Sequence, residues 1–428
     1  MMDFLHQLIQ VVFVVAMSAT FALSAIYFTL TLCAIVYRRF RPLRQPWPAW
    51  AAYPTVTVQI PTFNELAALH CARCCLDFEY PAEKLQILIG DDSNRPEISA
   101  AIDEFARQNP RVRVCRRGTN QGYKPGNLNH MLQATTGNYI LILDSDFLPE
   151  RDFLRRLAAP VACDPSLAGV QGAWQVANAR QNGSSLMGAG IINVIHVVIL
   201  PLLKRWAGAC LFCGSAELVR KDLLLRHGGW TPGALTEDVD YSLRLLAAGE
   251  RILFLEDTAC ACEAPQTPRD LFRQQMRWAY GVMRAILSHG GRLLASGLAR
   301  KRAKAAVVCF CSGYLMVLLL LVSGLLGVMY IAMAWFGGGF DLAQNAWTAV
   351  RDFLLTSGML VASLCAGFLS GVGRRSLGRL ALASITIGLV LLFFVGKGLV
   401  KALLGLPMNW FMLKKNGNQL RPVPAEAA

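Results

Sequence analysis

Two aspartates at the end of an apolar run are the residues of this sequence best placed to hold a metal ion. Asp144 and Asp146 follow residues 139–143, whose apolar and β-branched character is typical of a buried strand. Ligands of open α/β sheets bind just beyond the carboxyl ends of strands, and Mg²⁺ or Mn²⁺ prefers oxygen ligands when it also holds substrate phosphates. The pair therefore predicts a site for Mg²⁺ or Mn²⁺; the alternative is an ordinary polar turn.

Polar residues follow two other apolar runs in the same way. One run ends shortly before Thr62 and Glu65, and residues 85–89 end just before Asp91 and Asp92. The carboxyl ends of parallel strands lie at one edge of a sheet, so we expect these side chains to meet the first pair there. Each set alone is compatible with turn chemistry. Their recurrence at three strand ends favours a binding site.

Two later segments offer a base and a grip for phosphate. Glu237 and Asp238 lie in the predicted first turn of a helix, where carboxylates also stabilise the helix dipole by under about 1 kcal/mol. Gln274, Arg277 and Trp278 have the i, i+3, i+4 spacing that places side chains on one helix face. Arginine binds phosphate through two parallel hydrogen bonds. The alternative for this segment is an Arg–Trp pair at a membrane interface.

The framework that must position these residues is an alternation of strands and helices. Apolar runs between residues 55 and 249 alternate with helical patterns, which predicts right-handed βαβ units and a parallel sheet. Lys124 lies in a turn-rich stretch that opens one of the helices, and residues 170–176 are a further strand candidate. The fold class is therefore α/β.

The rest of the chain has the character of a membrane protein. Hydrophobic residues make up 54% of the 428 residues and charged residues only 16%, with a mean hydropathy of +0.39. Apolar stretches at residues 8–37, 305–335, 353–372 and 380–400 are long enough to predict spans. Residues 186–203 are interrupted by polar residues and predict a helix on the membrane surface.

The net charge of +14 suggests nucleic-acid binding, but its distribution argues against that. The basic residues cluster beside the apolar stretches, at Arg38, Arg39, Arg41, Arg44, Arg300, Lys301, Arg302, Lys304, Arg374, Arg375 and Arg379. Loops on the cytoplasmic side of membrane proteins carry such an excess. We therefore expect no nucleic-acid partner, and an α/β domain that faces the cytoplasm.

In their order along the chain, these motifs resemble those of membrane-embedded family 2 glycosyltransferases, the group that includes bacterial cellulose, hyaluronan and chitin-oligosaccharide synthases. The matching segments are residues 61–65 (PTFNE), 91–92 (DD), 124–127 (KPGN), 144–146 (DSD), 212–215 (FCGS), 236–238 (TED) and 274–278 (QQMRW). They extend over more than half of the chain. The resemblance implies a cytoplasmic GT-A-type, Rossmann-like domain attached to an α-helical transmembrane region.

The resemblance also implies a division of the chain and a role for each matched residue. The divisions are an anchor (1–38), a linker (39–54), a GT-A domain (55–290) with interfacial helices at about 186–206 and 268–290, transmembrane helices (305–400) and a basic cytoplasmic tail (401–428). The donor contacts are Thr62, Glu65, Asp91, Asp92, Lys124, Asp144, Gln274 and Arg277. The metal ligands are Asp144 and Asp146, the general base is Asp238, and the acceptor contacts are Phe212, Cys213, Gly214 and Trp278.

The implied reaction is inverting, metal-dependent transfer of a hexose from a nucleotide sugar, with UDP-glucose or a similar UDP-sugar expected, to a growing β-linked polysaccharide at the inner membrane. A single base with no enzyme nucleophile favours inversion. Membrane lipid and export subunits are expected partners. The alternatives are transfer of one sugar to a lipid, metal-dependent nucleotidyl transfer, and a non-catalytic scaffold. Residues 410–415 resemble the gating loop of cellulose synthases only loosely, because Leu413 and Lys414 replace its Thr-Pro.

A cytoplasmic tail conflicts with the predicted number of membrane crossings. Three full crossings after the α/β domain would place the basic tail outside the cell, against the positive-inside pattern. We therefore expect one of the later apolar stretches to be interfacial or re-entrant.

Overall fold

A computed structural model describes residues 2–40, 52–336 and 341–411. Most of the predicted linker, including Arg41 and Arg44, lies outside the described residues. The same is true of the tail from residue 412 onward, which contains Leu413 and Lys414. The tail is therefore described only as far as Phe411.

The centre of the protein is one seven-stranded sheet. Its strands are β1 (Val56–Thr62), β2 (Leu85–Asp91), β3 (Val112–Cys115), β4 (Tyr139–Ile142), β5 (Leu167–Val176), β6 (Glu217–Arg220) and β7 (Arg251–Cys262). They are arranged in the order β3-β2-β1-β4-β6-β5-β7. The predicted strands β1, β2, β4 and β5 are confirmed, whereas β6 and β7 were not predicted.

The prediction of a wholly parallel sheet is wrong at β6. This strand runs antiparallel to both of its neighbours, β4 and β5, while the pairs β3-β2-β1-β4 and β5-β7 are parallel. The chain enters β6 at the same sheet edge where β4 ends, and Ile142 pairs with Glu217. The reversal thus brings residues 212–215 next to the two aspartates that follow β4.

Apolar side chains cover both faces of the sheet. In β4, Leu141 belongs to one buried cluster, whereas Ile140 and Ile142 belong to the other. In β2, Ile87 and Leu88 divide between the same two clusters. This alternation follows from the two-residue period of a strand. Burial on both faces explains the continuous apolar runs in the sequence.

Fourteen α-helices are present in the described residues. Those around the sheet are α2 (Ala67–Leu76), α3 (Pro96–Gln108), α4 (Tyr123–Leu132), α5 (Phe153–Cys163), α8 (Lys221–Arg226), α9 (Glu237–Ala247) and α10 (Pro268–Ala295). The others are α1 (Met2–Arg39), α6 (Gly183–Asn193), α7 (Leu200–Ala207), α11 (Lys301–Phe336), α12 (Leu342–Thr356), α13 (Gly358–Leu369) and α14 (Arg374–Leu403). A π-helical segment, Val194–Ile199, joins α6 to α7.

Four helical stretches among the described residues are long and apolar enough to cross a membrane: Gln7–Arg39, Gly183–Ala207, Lys301–Phe336 and Arg374–Leu403. The second of these comprises α6, the π-helical segment and α7. Unlike the other three, its apolar window is 78% buried inside the protein. It lies between the sheet and the exposed apolar helices.

The predicted span at residues 353–372 is broken. Helices α12 and α13 meet at Ser357 with a bend of 51°, and twelve residues of α13 extend only about 18 Å, less than the roughly 30 Å of a bilayer core. Gly358 donates a backbone hydrogen bond to Ser24 of α1 at 2.9 Å. Arg38 donates to the carbonyl of Leu369 at 2.6 Å. Contacts with α1 thus fix both ends of α13.

Candidate active site

A cavity of about 280 Å³ lies at the carboxyl ends of β1 and β4, between the sheet and the helices α6, α10 and α11. It is lined by every residue predicted for the site except Asp91: Thr62, Glu65, Asp92, Lys124, Asp144, Asp146, Phe212, Cys213, Gly214, Asp238, Gln274, Arg277 and Trp278. Residues up to 216 positions apart in the chain thus meet in one cavity. Their individual roles remain predictions.

Asp91 lies behind the cavity wall rather than in it. Its carboxylate accepts hydrogen bonds from Ser93 N at 2.9 Å and Ser99 Oγ at 2.7 Å, and it pairs with Arg116 at 2.7 Å. Burial opposes ionisation of Asp91, but these hydrogen bonds outweigh it and lower its pKa. Asp92 does face the cavity, and Arg117 holds its carboxylate through two nitrogens at 2.9 and 2.6 Å. Asp91 is therefore positioned to hold Arg116 rather than to contact a ligand in the cavity.

Lys124 connects the two acidic parts of the cavity. Its Nζ is 2.7 Å from Asp144 Oδ1 and 2.9 Å from Glu237 Oε1, and it also donates to the carbonyl of Gly214. Burial alone would lower the pKa of Lys124, but the two carboxylates outweigh it and raise the pKa. The ammonium group therefore stays charged at neutral pH.

Asp238 has the properties of a general base near neutral pH. Burial, together with the negative charge of Glu237, raises its pKa to about 7, and Lys124 only partly counteracts this. Its Oδ2 lies 3.3 Å from the position that a Cβ on Gly214 would occupy. A carboxylate with this pKa is an efficient acceptor of a hydroxyl proton at pH 7.

The two aspartates after β4 suit a divalent cation that is also held by phosphate. Both line the cavity, and their oxygens are the donor type that Mg²⁺ and Mn²⁺ prefer. Asp146 Oδ2 accepts the backbone N–H of Glu263 at 3.2 Å, which fixes its orientation. No group of three or more His, Cys, Asp or Glu side chains able to hold a metal occurs in the described part of the chain.

Arg277 is a buried cation in the cavity wall. It donates to the carbonyl of Leu235 at 2.9 Å, and no carboxylate of the described residues lies within 4 Å of it. Its guanidinium lies over the ring of Trp410, 4.2 Å from the ring centre, and Trp410 also stacks on Tyr123. The described end of the tail therefore covers the cation that the sequence predicts to bind diphosphate.

Residues 212–215 form a loop that hydrogen bonds hold on all sides. The N–H groups of the first three residues donate to Ser242 Oγ, Gln171 Oε1 and Glu217 Oε2, at 2.8, 2.8 and 2.9 Å. The hydroxyl of Ser215 accepts the backbone N–H of Asp144 at 2.9 Å. Gly214 has a φ of +89°, which residues with a Cβ rarely adopt. The loop therefore presents one fixed conformation to the cavity.

Several residues at the site were missed in the sequence. Glu217 is fully buried beside Gly214, and burial with the nearby charge of Asp238 raises its pKa well above the usual range. Trp174 and Glu263 line the cavity, as does His196. His196 is buried and stacks on Trp174, with ring centres 5.1 Å apart. Pairing within the sheet brings Glu217, Trp174 and Glu263 to the site, and His196 lies on the π-helical segment, so no local pattern marks these residues.

A positive φ occurs at only three non-glycine residues of the described chain. They are Asn64 (57°), Tyr123 (54°) and Ala216 (54°). Asn64 and Tyr123 directly precede the predicted site residues Glu65 and Lys124, and Ala216 directly follows the matched segment 212–215. Such backbone strain costs about 1–3 kcal/mol per residue and concentrates at functional sites. Its placement agrees with the location of the cavity.

A sheet with α-helical layers, a cavity at its strand ends and a buried carboxylate beside a cation define an α/β enzyme of the glycosyl-transferring type. Residues 54–281 match the family model described as "Glycosyltransferase like family 2". Because this match covers more than half of the chain, the protein belongs to that family.

Curated relatives agree with the family. The chain is 30% identical over 295 residues to "Cellulose synthase 2" of Novacetimonas hansenii, covering 66% of this chain and 18% of that protein. It is 28% identical over 255 residues to "Glucomannan 4-beta-mannosyltransferase 7" of Arabidopsis thaliana, covering 58% and 46%. The chain thus matches less than half the length of either relative. It is a glycosyltransferase with cellulose synthase and mannosyltransferase homologues.

A solved structure shares the fold over nearly the whole chain. It is the mannosyltransferase PcManGT from Pyrobaculum calidifontis, in complex with GDP-Man and Mn²⁺. The TM-score is 0.63 at 21% sequence identity, and the match covers 91% of this chain and 99% of that one. The likeness therefore includes the apolar helices as well as the sheet, and at this identity it concerns the fold alone.

Proposed function

We propose that this protein transfers a hexose from a nucleoside-diphosphate sugar, with a UDP-sugar as the expected donor, to the hydroxyl group of a growing β-linked polysaccharide, with inversion at the anomeric carbon. The observation that carries the proposal is the position of Asp238. This carboxylate, with a pKa of about 7, lies against residues 212–215 and next to the Lys124–Asp144 ion pair. Base, acceptor loop and phosphate-binding cations are therefore contiguous.

The residues divide the chemistry between them. Asp238 accepts the proton of the incoming hydroxyl, and Arg277 and Lys124 compensate the charge that develops on the departing diphosphate. A Mg²⁺ or Mn²⁺ ion held by Asp144 and Asp146 would add Lewis-acid stabilisation of the same charge. With Asp238 as the base and no covalent intermediate on the enzyme, a single displacement inverts the configuration. An α-linked donor then gives a β-linked product.

The apolar helices support a reaction at a membrane, and the basic ends of α1 and α11 favour a cytoplasmic catalytic side. Residues 404–411 lie against the cavity, since Tyr280 donates to the carbonyl of Leu406 and Met408 packs with Leu235 and Met276. The tail is thus expected on the catalytic side. Export subunits remain expected partners.

A second candidate is the transfer of one sugar to a lipid. The inner wall of the cavity contains the apolar residues Ile192, Ile195, Val282 and Phe310, and Phe310 lies on α11, one of the exposed apolar helices. Such a wall suits a lipid acceptor. By contrast, the indoles of Trp174 and Trp278, whose ring centres are 6.5 Å apart, offer flat faces on which a sugar chain packs.

One experiment tests the proposal and separates the candidates. Membranes that contain the wild-type protein or Asp238→Asn are incubated with radiolabelled UDP-glucose, UDP-N-acetylglucosamine or GDP-mannose, and the product is sized and digested with linkage-specific glycosidases. We expect a long β-linked product from the wild type and almost none from the variant. A glycolipid carrying one sugar supports the second candidate. Unchanged transfer by Asp238→Asn, or an α-linked product, refutes the assigned mechanism.

A further inference from the structure

A second depression in the protein lies on the side of α7 and α11 away from the active site. It is a groove of about 680 Å³ between these helices, a size in the range of ligand sites. Its walls are Leu203, Ala207, Ala305, Ala306 and Cys309. The groove is thus apolar inside, and neither the sequence motifs nor the proposed reaction uses it.

The rim of this groove is strongly basic. Arg205 and Arg302 line it, and Lys204, Arg300 and Lys301 adjoin them in the chain. None of these five cations has a carboxylate partner within 4 Å among the described residues. Arg302 is near only the carbonyl of Trp206, at 3.5 Å. The groove therefore combines unneutralised positive charge with an apolar interior.

Its position matches the boundary between water and hydrocarbon. Helix α11 begins at Lys301, and its apolar part follows directly. The indole of Trp206 is 47% exposed at the same level, and exposed Trp beside Arg and Lys is characteristic of membrane interfaces. Basic pockets between membrane helices bind the head groups of anionic lipids. Charge complementarity thus favours a negatively charged amphiphile over a neutral one.

We propose that this groove binds an anionic phospholipid, with its phosphate between Arg205 and Arg302 and an acyl chain along Ala305 and Cys309. The inference rests on the membrane location in the proposed function. It also assigns a regulatory effect, because both walls of the groove continue into the active site. Cys309 precedes Phe310 in α11, and the π-helical segment before α7 carries His196; both Phe310 and His196 line the catalytic cavity. Lipid between the helices therefore sets the spacing of the cavity wall.

Lipid binding is tested without substrate by native mass spectrometry of the purified full chain in an equimolar mixture of phosphatidylglycerol and phosphatidylcholine. The wild type should retain phosphatidylglycerol. Each basic residue near an anionic lipid contributes about fivefold, so the double variant Arg205→Gln/Arg302→Gln should bind it roughly 25-fold more weakly. Ala305→Trp fills the groove, keeps every charge, and should also lose the lipid. The matched control is Arg374→Gln/Arg375→Gln, which removes two exposed arginines elsewhere and should retain it.

Transfer activity supplies the second measurement. In nanodiscs that contain phosphatidylglycerol, wild type and control should transfer sugar about fivefold faster than in pure phosphatidylcholine, whereas the two groove variants should not respond. If the wild type and both groove variants retain phosphatidylglycerol equally, the proposed lipid site is refuted, and general attraction between the basic protein surface and anionic lipid explains the binding. No retention by any form also overturns it and favours a protein occupant. Lipid retention without transfer in any nanodisc leaves the groove intact and refutes the proposed function instead.

Discussion

The charge of Glu237 should set the pH at which this enzyme becomes active. Asp238 acts as a base only when ionised, and its pKa of about 7 owes its elevation to burial and then to Glu237. With that pKa, about a tenth of the molecules are ionised at pH 6 and about nine tenths at pH 8. The rate of the wild type should therefore rise about tenfold across this interval.

Glu237→Gln removes the neighbouring negative charge and leaves an amide oxygen for Lys124, which lies 2.9 Å from Glu237 Oε1. Loss of one such charge lowers the pKa of a nearby carboxyl by at least about one unit. The midpoint of the acidic limb should move from about pH 7 to about pH 6, and the relative rate at pH 6 should rise about fivefold. Lys124→Met removes a cation that lowers the pKa of Asp238, so the midpoint of the acidic limb in its pH–rate profile should move to higher pH.

The measurement is the initial rate of labelled sugar transfer between about pH 5 and pH 9 at donor and acceptor concentrations well below KM, since kcat/KM reports the ionisation of the free enzyme. Glu97→Gln, which neutralises an exposed glutamate on α3, is the control and should leave the profile unchanged. The reasoning fails if the limb of Glu237→Gln stays at pH 7 or moves upward. It fails equally if both charge variants shift in the same direction.

Three further predictions concern single residues of the site. Asp238→Asn should abolish transfer yet raise the Tm at pH 8, because the folded variant does not hold an ionised carboxylate, whose burial costs up to about 4 kcal/mol. This gain in Tm should fade as the pH falls from 7 towards 4, because the wild-type carboxyl group becomes protonated over that range. Differential scanning fluorimetry between pH 4 and pH 8 measures the difference, and a lower Tm for the variant at pH 8 contradicts the prediction. Glu217→Gln keeps a hydrogen-bond acceptor for the N–H of Gly214 and should preserve both kcat and its pH profile. Glu217→Leu leaves that N–H unpaired and should raise the KM for the acceptor substrate by about tenfold or more. Equal kinetics of the two variants contradict the role assigned to Glu217. Chelation by EDTA should stop transfer and added Mn²⁺ or Mg²⁺ should restore it, with Asp146→Asn requiring at least about tenfold more metal; activity that persists in EDTA argues against a metal.

The sequence was sufficient to predict the strands of the sheet that end at the cavity. The runs before Thr62, Asp91 and Asp144 are continuous and apolar because both faces of β1, β2 and β4 are buried. Their polar termini meet because parallel strands end at one edge. The cavity could be predicted from these termini for the same reason.

Strands β6 and β7 could not be predicted, for two physical reasons. Strand β6 has only four residues, and with the Lys221–Arg226 helix that follows it the local pattern is that of one amphipathic helix. Strand β7 carries Glu256, Asp257 and Thr258 in its middle and is stable through its pairing with β5. Both strands depend on partners distant in sequence. Glu217 was missed with β6, because a glutamate in a helical pattern indicates solvent exposure.

The membrane region was predicted in outline but not in its breaks. Residues 353–372 have the hydropathy of a span, yet the backbone bends at Ser357, where Gly358 bonds to Ser24 of α1. Hydropathy records the average environment of a segment and is insensitive to such a contact. The broken α12–α13 pair is one candidate for the re-entrant or interfacial stretch that a cytoplasmic tail requires.

The hydrogen bonds that hold residues 212–215 limit how the specificity of this enzyme can change. Phe212 is buried and stacked on Tyr241, the φ of Gly214 excludes a side chain, and the hydroxyl of Ser215 holds Asp144. Only Cys213 contributes a side chain to the cavity without such a structural task. Substitutions that redirect the enzyme to new acceptors should therefore accumulate at position 213, and a mutational library restricted to it should yield more active variants than one at any other position of the loop.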